Sequence, residues 1–204
     1  MTFADHGLRR ALAFALLLTV ASQIFYVTVV SNAGPETALR PLTWFTELFA
    51  FTVVAITALG LAAQRPGEAL LWSTLSLSGV LNLLQVSIGL SMFAPAMEAR
   101  ESVPQLFSTV LAGAFFLYFH AKLLLGIGAI VLGATAMRSG AAVKKGLGAL
   151  AIVGGLAAIG LNLLGMIDAK SWTFAAGAAG TAASALVGLL LFLRSSEPAE
   201  RKAA

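Results

Sequence analysis

Apolar residues in this chain come in long uninterrupted runs rather than in alternation with polar ones. A helix needs about 20 predominantly apolar residues to cross the hydrocarbon of a bilayer, whereas a barrel strand needs an alternating segment of about 10. Charges and Pro/Gly breaks divide the chain into six runs of the first kind: Ala11 to Val30, Leu42 to Ala63, Ala69 to Phe93, Leu106 to Met137, Leu147 to Ile167 and Trp172 to Leu193. Backbone in lipid must satisfy its own hydrogen bonds, so all six are predicted to be transmembrane helices. The expected fold is all-α: a polytopic membrane protein, a bundle of six helices with short loops. The longest connections, Ser31 to Pro41 and Ala94 to Gln105, are too short for a soluble domain, so residues 1–204 are expected to form a single integral-membrane domain. Arg9 and Arg10 before the first run, and Ser31-Asn32-Ala33 after it, imitate a secretion signal. The run exceeds the roughly 7 to 15 residues of a signal core, so a retained helix is expected.

Composition agrees. Of 204 residues, 59% are hydrophobic and 11% charged, with a mean hydropathy of +0.91. A small water-soluble globule could not hide that apolar excess. The absence of cysteine removes disulfides, iron-sulfur clusters, thiolate zinc sites and cysteine nucleophiles together. The net charge of +4 would suit nucleic acid, but the basic residues are spread as juxtamembrane anchors, and no nucleic-acid partner is expected. One side of the predicted topology holds Arg9, Arg10, Arg65, Arg138, Lys144, Lys145, Arg194, Arg201 and Lys202; the other holds Arg40, Arg100 and Lys170. The positive side stays cytoplasmic, which predicts cytoplasmic N and C termini and a bacterial-type inner membrane.

Polar residues within the spans are the most informative feature, because each needs a partner in hydrocarbon. Thr74, Ser78, Asn82, Gln85 and Gly89 recur at helical spacing and form a seam on the third span. Thr19, Ser22, Gln23 and Tyr26 do the same on the first span, and Thr43, Thr46 and Glu47 on the second. Placed by depth, Gln23, Tyr26, Glu47, Gln85 and Asn162 fall in the outer half, with Asn82 near the middle. They are expected to converge on an outward-facing polar cavity. Leu81-Asn82-Leu83-Leu84 is echoed by Leu161-Asn162-Leu163-Leu164, as a hairpin duplication would leave.

Two ionisable residues stand near the centre of the fourth span, in Phe119-His120-Ala121-Lys122. They lie about 200° apart around the helix, so one cavity cannot hold both squarely. Lys122 shares its face with Tyr118 and Gly126, and Glu47 is the only acid in the predicted spans. A buried Glu47 to Lys122 pair is therefore expected. The competing arrangement leaves Glu47 in interfacial water while Lys122 snorkels. His120 could hydrogen-bond, carry a proton or ligate a cofactor. With His6 in the N-terminal tail, a bis-histidine haem within one chain is excluded by counting.

Small residues mark the last spans: Gly154, Ala158 and Asn162 on the fifth, Gly180, Ser184 and Gly188 on the sixth. Such ridges let helices approach, within the hairpin or in a homo-oligomer or partner subunit held through Gly180, Ser184 and Gly188. Gly126, Gly128 and Gly133 offer a further docking surface, and Trp44, Phe45, Trp72 and Trp172 match an interfacial belt. No phosphate-binding loop, dinucleotide fingerprint, HExxH or nucleophile elbow is found, so no catalytic residue or metal site is assigned and no cofactor is required. Three functions compete. A small-solute or ion transporter would bind substrate through Glu47, Asn82, Gln85, His120, Lys122 and Asn162. A quinone or haem subunit would use His120 with Phe115, Phe116, Tyr118 and Phe119. A noncatalytic accessory subunit would dock through its last two spans. Transport accounts for most of the polar positions and is the leading expectation.

Overall fold

A computed structural model of the chain describes residues 3–34, 37–139 and 141–195. Arg201 and Lys202, counted above for orientation, lie outside the described residues. Among the described residues the structure is all-helical, with no strand. Six long helices carry it: α1 (Phe3–Thr28), α2 (Leu39–Gln64), α3 (Ala69–Glu98), α4 (Leu106–Met137), α5 (Ala142–Ile167) and α6 (Ala169–Ser195). Each is long and apolar enough to cross a membrane. This is an integral membrane protein.

The predicted spans fall on these helices, except that the first overruns the end of α1 by two residues, Val29 and Val30; that of α4 coincides with its helix. Most of the others extend past the apolar runs, because a helix continues into the polar boundary until its backbone meets a stop. At the start of α1 this adds two turns, so His6 is helical rather than part of a tail, and its Nδ1 lies 3.2 Å from the Ser195 carbonyl. The α5–α6 connection is a single residue, Asp168. It caps α6: the Ser171 N–H donates to Asp168 Oδ1 at 3.2 Å.

Helix packing closes a ring. α1 packs on α2, α2 on α3, α3 on α4, α4 on α6, and α6 returns to α1; α5 lies outside, against α4 and α6. Glycines set the closest approaches. A Cβ on Gly126 would sit 2.7 Å from the Gly155 carbonyl oxygen, and one on Gly133 would sit 2.6 Å from that of Gly148. The expected docking role of the α4 glycines is met by α5, with Gly128 receiving Leu75 and Thr74 of α3.

The interior is divided by depth. Leu12, Leu16, Val54, Leu61, Trp72, Leu75, Leu125, Leu132, Val187 and Leu191 belong to an apolar core in the half of the bundle that carries the termini. Most buried polar residues of the ring's inner side occupy the other half, here called the distal half, whereas Thr57 and Thr74 lie at core depth with their hydroxyls bonded to carbonyls of their own helices. An ion network closes the terminal end. Arg9 Nε meets Asp5 Oδ1 at 3.2 Å, Arg65 also pairs with Asp5, and Glu68 receives Arg9 at 3.4 Å and Arg194 at 3.2 Å. Trp72 donates its indole N–H to Glu68 at 3.0 Å and lies under the Arg9 guanidinium. Trp72 is fully buried, so its expected place in an interfacial belt is corrected: its N–H is satisfied inside the protein instead of at headgroups.

Candidate functional site

Four ring helices contribute to a polar centre in the distal half. Lys122 extends from α4 toward the start of its own helix, as helical side chains do. Its ammonium lies 5.4 Å from the Tyr118 ring centroid and 5.9 Å from that of Phe51. On the other side Gly180 of α6 lies against the aliphatic stem, where a Cβ would be 2.8 Å from Cγ and Cδ. Gly177, one turn earlier, makes the same room for the Tyr118 hydroxyl. The glycine ridge of α6 is therefore a cradle for the two long polar side chains of α4.

Glu47 faces the same interior from α2, one turn from Phe51. Ser22 Oγ donates to Glu47 Oε1 at 3.1 Å. Gln23 joins the helices: its Oε1 accepts from Tyr118 Oη and from Thr181 Oγ1, each at 3.1 Å. With the amide oxygen so occupied, the NH2 group is left to face the Glu47 carboxylate. Residues of α1, α2, α4 and α6 thus form one connected set.

Both charges are buried, Lys122 at 2% exposure and Glu47 at 5%, which removes the snorkelling arrangement. The expected direct pair is corrected as well. Among the described residues no carboxylate oxygen comes within 4.0 Å of the Lys122 ammonium. The two groups share one interior without contact; Glu47 is tied to α1 through Ser22, and α1 to α4 through Gln23 and Tyr118. Phe51 occupies the α2 position one turn deeper than Glu47, and its ring rather than a carboxylate meets the ammonium.

The remaining expected site residues separate. Asn82 is buried, but its NH2 donates to the Ser78 carbonyl one turn back at 2.9 Å, and Ser78 Oγ donates to the Ala121 carbonyl at 2.8 Å. Much of the α3 seam is spent on packing against α4. Gln85 is half-buried, and no hydrogen bond joins Asn82 or Gln85 to Glu47 or Lys122 among the described residues. Asn162 sits on α5, outside the ring, and donates to Ala158 at 2.7 Å and Ala176 at 3.2 Å. Its place in the cavity is corrected for that reason. The Asn82 and Asn162 pair does share a local arrangement: each bonds the carbonyl four residues back and buries an unpartnered Oδ1. His120 is half-buried with its ring 6.3 Å from that of Phe116, itself 53% exposed. Phe119 points elsewhere, buried against Gly165. The aromatics expected to surround His120 thus divide between two sides of α4.

Gly180, Ser184 and Gly188 are likewise turned inward. Gly188 meets Leu17 and Ala13 of α1, and Ser184 is buried. Their capacity for close approach is used within the chain, which leaves no open groove at these residues.

Toward the distal end, rings from four helices adjoin in sequence. Tyr26 stacks on Trp44 at 6.4 Å, Trp44 meets Phe93 edge-on at 5.7 Å, and Phe93 meets Phe107 at 5.7 Å. Thr181, Phe51 and Gly177 are site residues that sequence reasoning did not single out. A four-residue step from Gly177 to Thr181 was the available signal, hidden by the abundance of small residues in α6.

The class of protein is therefore a six-helix membrane bundle with a charged, hydrogen-bonded interior between an apolar core and an aromatic cluster. Comparison with known proteins returns no match among family models, curated proteins or solved structures.

Proposed function

We propose that the protein is a small-solute or ion transporter, a permease whose substrate occupies the space between Lys122 and Glu47. The observation that carries this reading is the burial of both charges without direct contact. An ionisable group at mid-membrane depth costs at least a few kcal/mol, a cost ordinarily offset by an intimate partner or a functional role. Here Glu47 has Ser22 and Gln23, whereas Lys122 has aromatic faces and no hydrogen-bond acceptor among the described residues. A charged or zwitterionic solute, or an ion with its waters, would complete that set.

Closure at both ends supports the same reading. The Asp5, Arg9, Arg65, Glu68 and Arg194 network lies beyond the core on one side, and the Tyr26, Trp44, Phe93 and Phe107 cluster lies on the other. An occluded state of alternating access has this form, with the polar residues nearer one face. The distribution of Lys and Arg supports termini on the cytoplasmic side of a bacterial-type inner membrane, an orientation in which the polar half faces outward.

The test is a thermal-stability screen of purified protein against alkali cations, amino acids, small carboxylates and small organic cations, followed by uptake into proteoliposomes. One class is expected to raise the unfolding midpoint and to accumulate, and both effects should vanish in Lys122→Met and Glu47→Gln. Undiminished uptake by either variant would exclude the site, and no response to any class would exclude the transport reading.

A further inference from the structure

We propose that a half-open cavity at the terminal end, between the end of α4, the start of α5 and the end of α6, is a binding site for a phosphate group. Its volume is about 240 Å³, below the roughly 300 Å³ where drug-sized sites begin and suited to a small polyatomic anion or a headgroup. Arg138, Lys144 and Arg194 line it together with Ser139, and Leu190 adds an apolar wall; among the described residues no acidic one lines it.

Two polar atoms make this more than a basic patch. Four buried side-chain N or O atoms lack a hydrogen-bond partner among the described residues. Two of them, Ser139 Oγ and Arg194 Nη1, belong to this cavity's lining residues. Leaving a buried donor unsatisfied is costly, and the cost is larger when the group is charged. Arg194 uses Nη2 on Glu68 Oε1 at 3.2 Å, which holds the guanidinium in place while its other terminal nitrogen remains without an acceptor. Glu68 holds Arg194 through Nη2 alone, with its Oε2 shared by Arg9 and Trp72, and no acceptor reaches Nη1.

Phosphate matches these donors: several acceptor oxygens, negative charge, and geometry that a guanidinium and a hydroxyl can share. Among the described residues the neighbouring network holds three arginines against two carboxylates, a balance that favours an anion further. The cavity lies where the helices leave the apolar layer, so the phosphate can belong to an anionic phospholipid or to a soluble ion. Basic pockets between transmembrane helices are suited to the former. The inference is independent of the transport reading, because none of these residues touches the distal site.

The experiment uses purified full-length protein in nanodiscs of phosphatidylcholine. Lys144, half-buried at the cavity, and Lys145, exposed beside it, are acylated with a small amine reagent, and their rates are compared by mass spectrometry. Inorganic phosphate is added in one arm, against chloride of equal ionic strength, and phosphatidylglycerol is incorporated in the other. Thermal midpoints are read in parallel. At ten times the half-saturating level, Lys144 should be protected about ten-fold by mass action with Lys145 unchanged. Protection by inorganic phosphate identifies a soluble anion; protection by phosphatidylglycerol alone identifies a headgroup. Protection should be lost in Arg138→Gln and Ser139→Ala, neither of which disturbs the Glu68 network. If neither probe distinguishes Lys144 from Lys145 nor raises the midpoint, or if both variants retain full protection, the site is overturned.

Discussion

Gly180 of α6 and the stem of Lys122 touch so closely that a single methyl group at position 180 would lie 2.8 Å from Lys122 Cγ and 2.9 Å from its Cβ. The atoms met are those nearest the α4 backbone, which cannot swing aside as the ammonium end could. Gly180→Ala is therefore expected to push α4 and α6 apart or to force Lys122 into another rotamer, at a cost of about 1 to 3 kcal/mol. Gly160→Ala, on an open face of α5, is the matched control, since a Cβ there meets nothing within 4 Å. Thermal unfolding in detergent compares the two. Equal midpoints would show that the glycine is not what admits the lysine.

Glu47 and Lys122 lend themselves to a double-mutant cycle because both are buried in one interior without touching. Lys122→Met removes the cation and keeps the stem that Gly180 packs on; Glu47→Gln keeps the contact with Ser22. Each single variant leaves one buried charge without its opposite. Direct buried pairs lose about 3 to 5 kcal/mol in this way, and a pair separated by a gap should lose less. The double variant should recover at least about 0.5 kcal/mol relative to additivity, as for coupled neighbours. Strict additivity in denaturation midpoints would mean the charges do not sense each other.

The membrane class and six helices were legible in the sequence because length and hydropathy are local properties. Lys122 and Glu47 were legible too, since an ionisable group in an apolar run stands out without any knowledge of packing. Ring closure was not legible. It places α5 outside, and that alone removes Asn162 from a cavity that its depth suggested. Asn82 misled for a related reason: an amide in a polar seam serves a carbonyl on its own helix as readily as a ligand. The terminal network was hidden because Arg9, Arg65 and Arg194 look the same in sequence whether they anchor in headgroups or meet Asp5 and Glu68. Only the i, i+4 spacing of Asp5 and Arg9 hinted at the second.

Asp168 gives a pH dependence outside the bilayer. The hydroxyl of Ser171, and next its backbone N–H, hold the Asp168 carboxyl below its ordinary value of 3.8. A carboxyl with a depressed folded value stabilises above the unfolded range and loses that contribution as pH falls through the folded value. Amide exchange over Ala169 to Trp172, normalised to intrinsic rates, should be faster in Asp168→Ala than in wild type at pH 7. The difference should shrink once pH falls below about 4. A difference undiminished at pH 2 would assign the protection to something other than the carboxylate cap.

Arg9 is the test of the terminal network, because it is 1% exposed and bound on three sides, by Asp5, Glu68 and the Trp72 ring. Replacing it with methionine preserves much of the volume but leaves Asp5 with Arg65 alone, and Glu68 with Arg194 and Trp72. Those surviving partners place the expected loss near the lower end of the range for broken buried pairs, about 3 kcal/mol. Arg9→Lys keeps the charge but not the fork that reaches two carboxylates, so it should recover only part of the loss. A surface anchor would behave differently: lysine would replace arginine fully, and methionine would cost less than about 1 kcal/mol. Unfolding midpoints of the three proteins at low and high salt separate the cases, since the Arg9–Asp5 pair, buried on both sides, should respond little to ionic strength.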